Sequence, residues 1–173
     1  SNAIEGSLSP TEIKFVDGQW NGKVTITQAK ENVKLSCLDF FTTPHQGQSN
    51  FFTIEPAEFS KLQILLPGEQ GTPGIFPGKS GDVKPQVAGE ITPVTVHAID
   101  QWWNPVTTAK GTISLSSTDE FANLPMDDSL RSGSVSFSTM RFNTPGNWKV
   151  AAMIKSDPQI LPDTSSVVRV ISG

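Results

Sequence analysis

The chain of 173 residues carries 13 lysines and arginines against 17 aspartates and glutamates, a net charge of −4. That balance supplies neither the basic footprint of a nucleic-acid-binding surface nor a polybasic patch for anionic lipid, and no apolar run approaches the roughly 20 residues of a membrane span. With 36% hydrophobic residues, 14 glycines and 13 prolines, the composition is that of a packed, turn-rich chain long enough for one large or two small domains.

Ser1-Asn2-Ala3 reads as a remnant of tag removal and is set aside from the fold. The first predicted strand is Glu12-Ile13-Lys14-Phe15, closed by a turn at Asp17-Gly18. A second follows over Trp20–Ile26, with Trp20, Val24 and Ile26 on one face. Gln28–Asn32 is polar and reads as a connection. Val33, Leu35 and Cys37 alternate as a third strand, which makes the single cysteine a small buried thiol with no disulfide partner. Thr42–Gln48 reads as a loop and Asn50–Ile54 as a fourth strand. No helical period occurs in this stretch.

Pro56 ends that strand, and Glu55–Ser60 reads as a short linker. Leu62-Gln63-Ile64-Leu65 opens a second module. Pro67–Glu90 is rich in proline and glycine; it reads as a flexible insertion or as a segment lying along a sandwich edge, with a short strand near Gln86-Val87-Ala88 and an apolar anchor at Ile75-Phe76. Val94, Val96 and Ala98 then alternate with Thr95 and His97, the period-2 mark of a strand with one buried face. Asp100, Asn104 and Pro105 supply turn chemistry, and Gly111–Ser116 forms the return strand. Ser134–Ser138, Trp148–Ile154 and Ser166–Val170 complete the set, with Trp148, Val150 and Ala152 placed together in the core.

The two parts repeat weakly. Gly22-x-Val24-x-Ile26 parallels Gly133-x-Val135-x-Phe137, and Val33-x-Leu35-x-Cys37 parallels Trp148-x-Val150-x-Ala152. Asn50–Ile54 likewise parallels Ser166–Val170. The strand, Asp100-x-x-x-Asn104-Pro105 turn and strand resemble the first hairpin of bacterial immunoglobulin-like repeats of secreted and cell-surface proteins. Phe15–Ile54 resembles the back half of such a repeat, and Leu62–Val170 a whole one. One departure stands in the turn, where many such repeats carry Gly-Asn and this chain has Trp103-Asn104.

The resemblance implies an all-β fold of antiparallel immunoglobulin-like sandwiches, with residues 4–56 as the C-terminal half of a module and 57–173 as a complete one. It implies a non-catalytic spacer or adhesion module in an extracellular or surface-attached bacterial protein, in contact with neighbouring modules of the same chain. An accessory domain of a larger secreted enzyme is the alternative of the same architecture. Residues 4–55 carry apolar side chains for one layer only, so self-association through them is expected.

Chemistry-bearing residues are sparse. His45 and His97 are the two histidines, and no Gly-x-Ser-x-Gly elbow or Cys-His pattern accompanies them. Gly78-Lys79-Ser80 lacks the upstream glycine of a phosphate loop, because Pro73 occupies that position. Acids at Asp100, Asp119-Glu120 and Asp127-Asp128 could supply oxygens to calcium, but no Asp-x-Asp-x-Asp-Gly run gathers them. No enzyme activity, cofactor or metal is therefore expected. Trp102-Trp103 is the candidate binding pair. Adjacent strand residues face opposite ways, so both rings are buried only if the chain bends there. An exposed ring could stack on a carbohydrate or anchor a protein partner; alternatively both rings cover the sandwich end or the Pro/Gly-rich segment.

Overall fold

The computed structural model describes residues 6–155 and 157–173. The Ser1–Ala3 remnant and Ile4 lie outside the described residues. Among those described there is no helix, and the chain divides into two compact units, 1–56 and 57–173.

The first unit holds six short strands: β1 (Leu8–Ser9), β2 (Thr25–Ile26), β3 (Lys30–Val33), β4 (Ser36–Leu38), β5 (Gln46–Gln48) and β6 (Phe52–Ile54). They pair antiparallel as three two-stranded sheets, β1 with β2, β3 with β6 and β4 with β5. The turn at Asp17-Gly18 is present. Both residues have positive φ, 49° and 75°, and Val16 and Gln19 exchange backbone hydrogen bonds across them, the geometry that Asp-Gly favours in a tight hairpin. The strand expected at Glu12–Phe15 is absent, because Phe15 lies exposed and the apolar alternation has no second layer to bury it.

Three further expectations for this unit are corrected. Lys30–Val33 is a strand rather than a connection; its ladder with β6 is irregular between Lys30 and Val33, where Asn32 takes a left-handed φ of 54°. Gln46–Gln48 is a strand rather than loop. Cys37 is exposed, on a β4–β5 hairpin whose strand β4 has exposed side chains throughout. Of the residues expected to form this unit's apolar layer, Val33 alone is buried; Ile13, Trp20, Ile26, Leu35 and Ile54 are half-buried, and Val24 and Phe52 are exposed.

The second unit contains β7 (Lys61–Leu65), β8 (Gln70–Gly71), β9 (Lys79–Ser80), β10 (Gln86–Val87), β11 (Val94–Ile99), β12 (Thr112–Ser117), β13 (Asp128–Ser129), β14 (Ser134–Phe137), β15 (Gly146–Trp148), β16 (Val150–Ile154), β17 (Asp163–Thr164) and β18 (Val168–Ile171). One layer is the sheet β7–β11–β14. The other runs β13–β12–β16–β17, continued by β15–β18, with β10 pairing parallel to β18. This order, with the first, second and fourth long strands (β7, β11 and β14) in one sheet and the rest opposite, is a two-layered, mostly antiparallel β-sandwich. Alternation explains it. Leu62, Ile64, Val94, Val96, Ala98, Val135 and Phe137 point inward from one layer, and Ile113, Leu115, Val150, Ala152, Ile154, Val168 and Val170 answer from the other, closing one core.

Trp148 is displaced from its expected place. The single strand read over Trp148–Ile154 is broken at Lys149, so β15 pairs with β18 and β16 with β12 and β17. Val150 N donates to Ser165 Oγ and Ser165 N donates to Val150 O across the break. Trp148 ends half-buried at the core margin, its Nε1 donating to Thr144 O at 2.6 Å. Its truncation therefore removes less packing than that of a fully enclosed aromatic.

The Pro67–Glu90 segment folds back on the sandwich. β8 and β9 form a small hairpin, Lys84 N donates to Pro67 O, and Gly74 N donates to Trp102 O. Glu69 pins the start of it, accepting from Leu66 N and Ser166 Oγ with Lys79 Nζ at 3.3 Å.

Candidate functional site

The turn joining β11 to β12 is built around one carboxylate. Asp100 is fully buried. Its Oδ1 accepts from Trp102 N at 2.7 Å and Asn104 N at 2.9 Å. Its Oδ2 accepts from Asn104 Nδ2 and from Ala57 N, both at 2.9 Å. Asp100 N in turn donates to Asn104 O, and Trp103 N to Asp100 O. The Asp-x-x-x-Asn spacing thus closes a loop in which buried N–H groups face a single acceptor.

Closure forces the two tryptophans apart. Trp103 sits at φ 63°, a left-handed conformation that glycine and asparagine adopt readily and bulky residues rarely. This position keeps glycine-like geometry with an indole attached. What compensates is contact. The Lys61 ammonium lies 3.7 Å from the ring centroid, Phe76 meets the ring edge-on at 5.6 Å, and Gly78 packs directly against it. Lys61 Nζ also donates to Gln101 O at 3.1 Å. Burial lowers the Lys61 pKa, while the Asp100 and Asp163 charges oppose that shift.

Trp103 is half-buried and serves as the clamp for the 72–78 loop. Trp102 is the free ring, 42% exposed, with Phe76 (80% exposed) on the loop that Trp103 holds. A shallow depression of about 170 Å³ opens beside Trp103, lined by Lys61, Gln63, Pro77, Lys79 and Asp163 among others. Its polar groups are engaged: Asp163 Oδ2 accepts from Ile64 N at 2.7 Å, and Gln63 Nε2 donates to Gly78 O at 2.8 Å. Of the expected apolar anchor Ile75-Phe76, Ile75 is half-buried, while Phe76 stays exposed and meets only the edge of the Trp103 ring. Its place beside Trp103 follows from loop closure.

The other chemistry-bearing residues are occupied in turns. Asp119 is buried, which disfavours its charge, but backbone N–H groups of Phe121, Asn143 and Thr144 outweigh that and hold its pKa below the usual value. Asp128 and Arg131 pair through two bonds of 2.9 and 3.0 Å, and Asp127 meets Lys155 at 3.0 Å. His97 stands half-buried on the outer face of β11, where burial lowers its pKa. His45 binds Asp39 at 2.8 Å. Among the described residues no three histidine, cysteine or acidic side chains gather as a metal site.

No protein-family model matches the chain, and no curated protein sequence does. Among solved structures it is similar to a glycosyl hydrolase family 2 (GH2) member from Bacteroides cellulosilyticus DSM 14838, at 10% identity and TM-score 0.47 over 84% of this chain and 19% of that one. A second structure, of a glycosyl hydrolase family 2 (GH2) member from Bacteroides cellulosilyticus, gives 11% identity and TM-score 0.49 over 91% and 21%. The chain spans about a fifth of the length of these proteins. At such identity and score the fold assignment rests on the strand order itself.

Proposed function

We propose that the chain is a non-catalytic module of the bacterial immunoglobulin-like repeat type, spacing or presenting other domains in a secreted or surface-attached protein. The observation that supports this reading is the use to which the polar side chains are put. Asp100, Asp119 and Asp163 each spend a carboxylate on backbone N–H groups, so the groups able to do chemistry hold turns and strands in place instead. Service as an accessory domain of a larger secreted enzyme is the alternative to this reading, and the full-length sequence of the parent protein separates the two.

A second reading is favoured by one observation, the exposed Trp102 side chain in the β11–β12 turn. Such a ring could stack on a sugar or anchor a protein. A glycan array followed by tryptophan fluorescence separates the two. Under the first reading no glycan alters emission, and Trp102→Ala unfolds within about 0.5 kcal/mol of the parent, as surface substitutions do. Saturable quenching by a glycan, lost in Trp102→Ala, would replace the first reading with the second.

A further inference from the structure

The β4–β5 hairpin leaves an open edge with regular geometry. Ser49 N donates to Leu35 O and Asp39 N to His45 O, so residues 35, 37 and 39 turn their backbone groups toward β5. Antiparallel ladders alternate. The N–H and C=O of Ser36 and Leu38 therefore face away from β5, and no strand pairs that side among the described residues. Exposed edges are ordinarily guarded by lysine, proline or a bulge; Ser36-Cys37-Leu38 has none of these.

Apolar side chains accompany the edge. Leu38 is 56% exposed, Phe40 92% and Phe41 71%. The loop that carries the two phenylalanines is braced: Asp39 Oδ1 accepts from Phe41 N and His45 N, and the Phe41 ring meets the His45 ring edge-on at 6.3 Å. The loop thus holds two adjacent phenylalanines out to water beside the open edge.

We infer that this edge pairs with the same edge of a second copy of the chain, β4 against β4, antiparallel about a two-fold axis through Cys37. Self-pairing suits the strand's chemistry. A neutral segment sets no like charges opposite one another, and an isologous contact closes at two copies. In this register Ser36 faces Leu38 of the second copy, using the outward backbone groups on both sides. Lys34 falls opposite Phe40 of the second copy; it already holds its ammonium 4.7 Å from the Phe51 ring centroid, so an aromatic neighbour is one it accepts. Cys37 meets Cys37 at a non-hydrogen-bonded position, where Cα atoms stand about 4.5 Å apart. That lies within disulfide range.

The test is sedimentation velocity of the full chain with reductant, from low to high micromolar, beside Ser36→Pro and Leu38→Lys. Proline at 36 removes an outward N–H and leaves the ladder to β5 intact; lysine at 38 places a charge on an already exposed site. The parent should be a dimer, and both variants monomers with unchanged circular dichroism. Mild oxidation should cross-link the parent through Cys37 and leave Ser36→Pro uncross-linked. A parent that stays monomeric overturns the inference, including one that pairs only with another protein or with lipid vesicles. So does a dimer that survives in both variants, or one that resists cross-linking and thereby lacks the Cys37 register.

Discussion

Replacing Asp100 by alanine is expected to cost the second unit about 3–5 kcal/mol, since it takes the acceptor from two buried and two part-buried donors. Trp102 N, Asn104 N, Asn104 Nδ2 and Ala57 N all lose their acceptor at once. Water cannot readily replace it, because Asp100 and Asn104 are both buried. Asp100→Asn should recover only part of the loss: an amide restores one carbonyl oxygen but sets an NH₂ group against the donors that faced the other oxygen. Urea melts of the three proteins decide the matter, and a shift below about 1 kcal/mol for the alanine variant would show that the turn is held by packing alone.

Gly78→Ala comes next in size, at about 2–4 kcal/mol, combining backbone strain with overpacking. Gly78 has a φ of 88°, which disfavours any side chain, and an added Cβ would lie inside the Trp103 indole. The ring has little room to retreat, with the Lys61 ammonium 3.7 Å from its centroid and Phe76 at its edge. Moving Gly78 instead breaks the bonds its carbonyl accepts from Thr72 N and Gln63 Nε2. Thermal unfolding followed by tryptophan emission reads both effects. An unshifted midpoint would mean the loop is free to lift away from Trp103.

The second unit was legible in the sequence because its strands are half-buried in two layers. Val94–Ile99 and Thr112–Ser117 bury alternate residues, so their period is written in apolar side chains. The Asp100–Asn104 turn was legible through its residue types. The first unit was not, because pairing and burial part company there. Lys30–Val33 is a strand by its ladder to Phe52–Ile54 while Lys30, Glu31 and Asn32 are exposed, so no hydrophobic period marks it. Glu12–Phe15 carried the alternation but no ladder. The break at Lys149 was invisible for another reason. A hydrogen bond from Val150 N to a serine hydroxyl interrupts the ladder without disturbing the apolar pattern. The separate fates of Trp102 and Trp103 depend on a left-handed backbone angle that no side-chain pattern encodes.

The folded-back Pro67–Glu90 segment bears on how the protein meets a protease. Its composition is that of a slack linker, the kind of stretch where nicking concentrates. Cleavage, however, requires backbone that can be drawn out, and here the chain is fastened at short intervals: Glu69 N to Leu66 O, Thr72 N to Gly78 O, Gly74 N to Trp102 O, Gly78 N to Ile75 O and Lys84 N to Pro67 O. Brief digestion with a broad-specificity protease should spare it, so that mass spectrometry of the early products finds no termini between 67 and 90. Early cuts there would mean these fastenings open faster than they hold. Its prolines and glycines serve sharp reversals rather than slack, and a segment that composition marks for removal is expected to outlast the digestion.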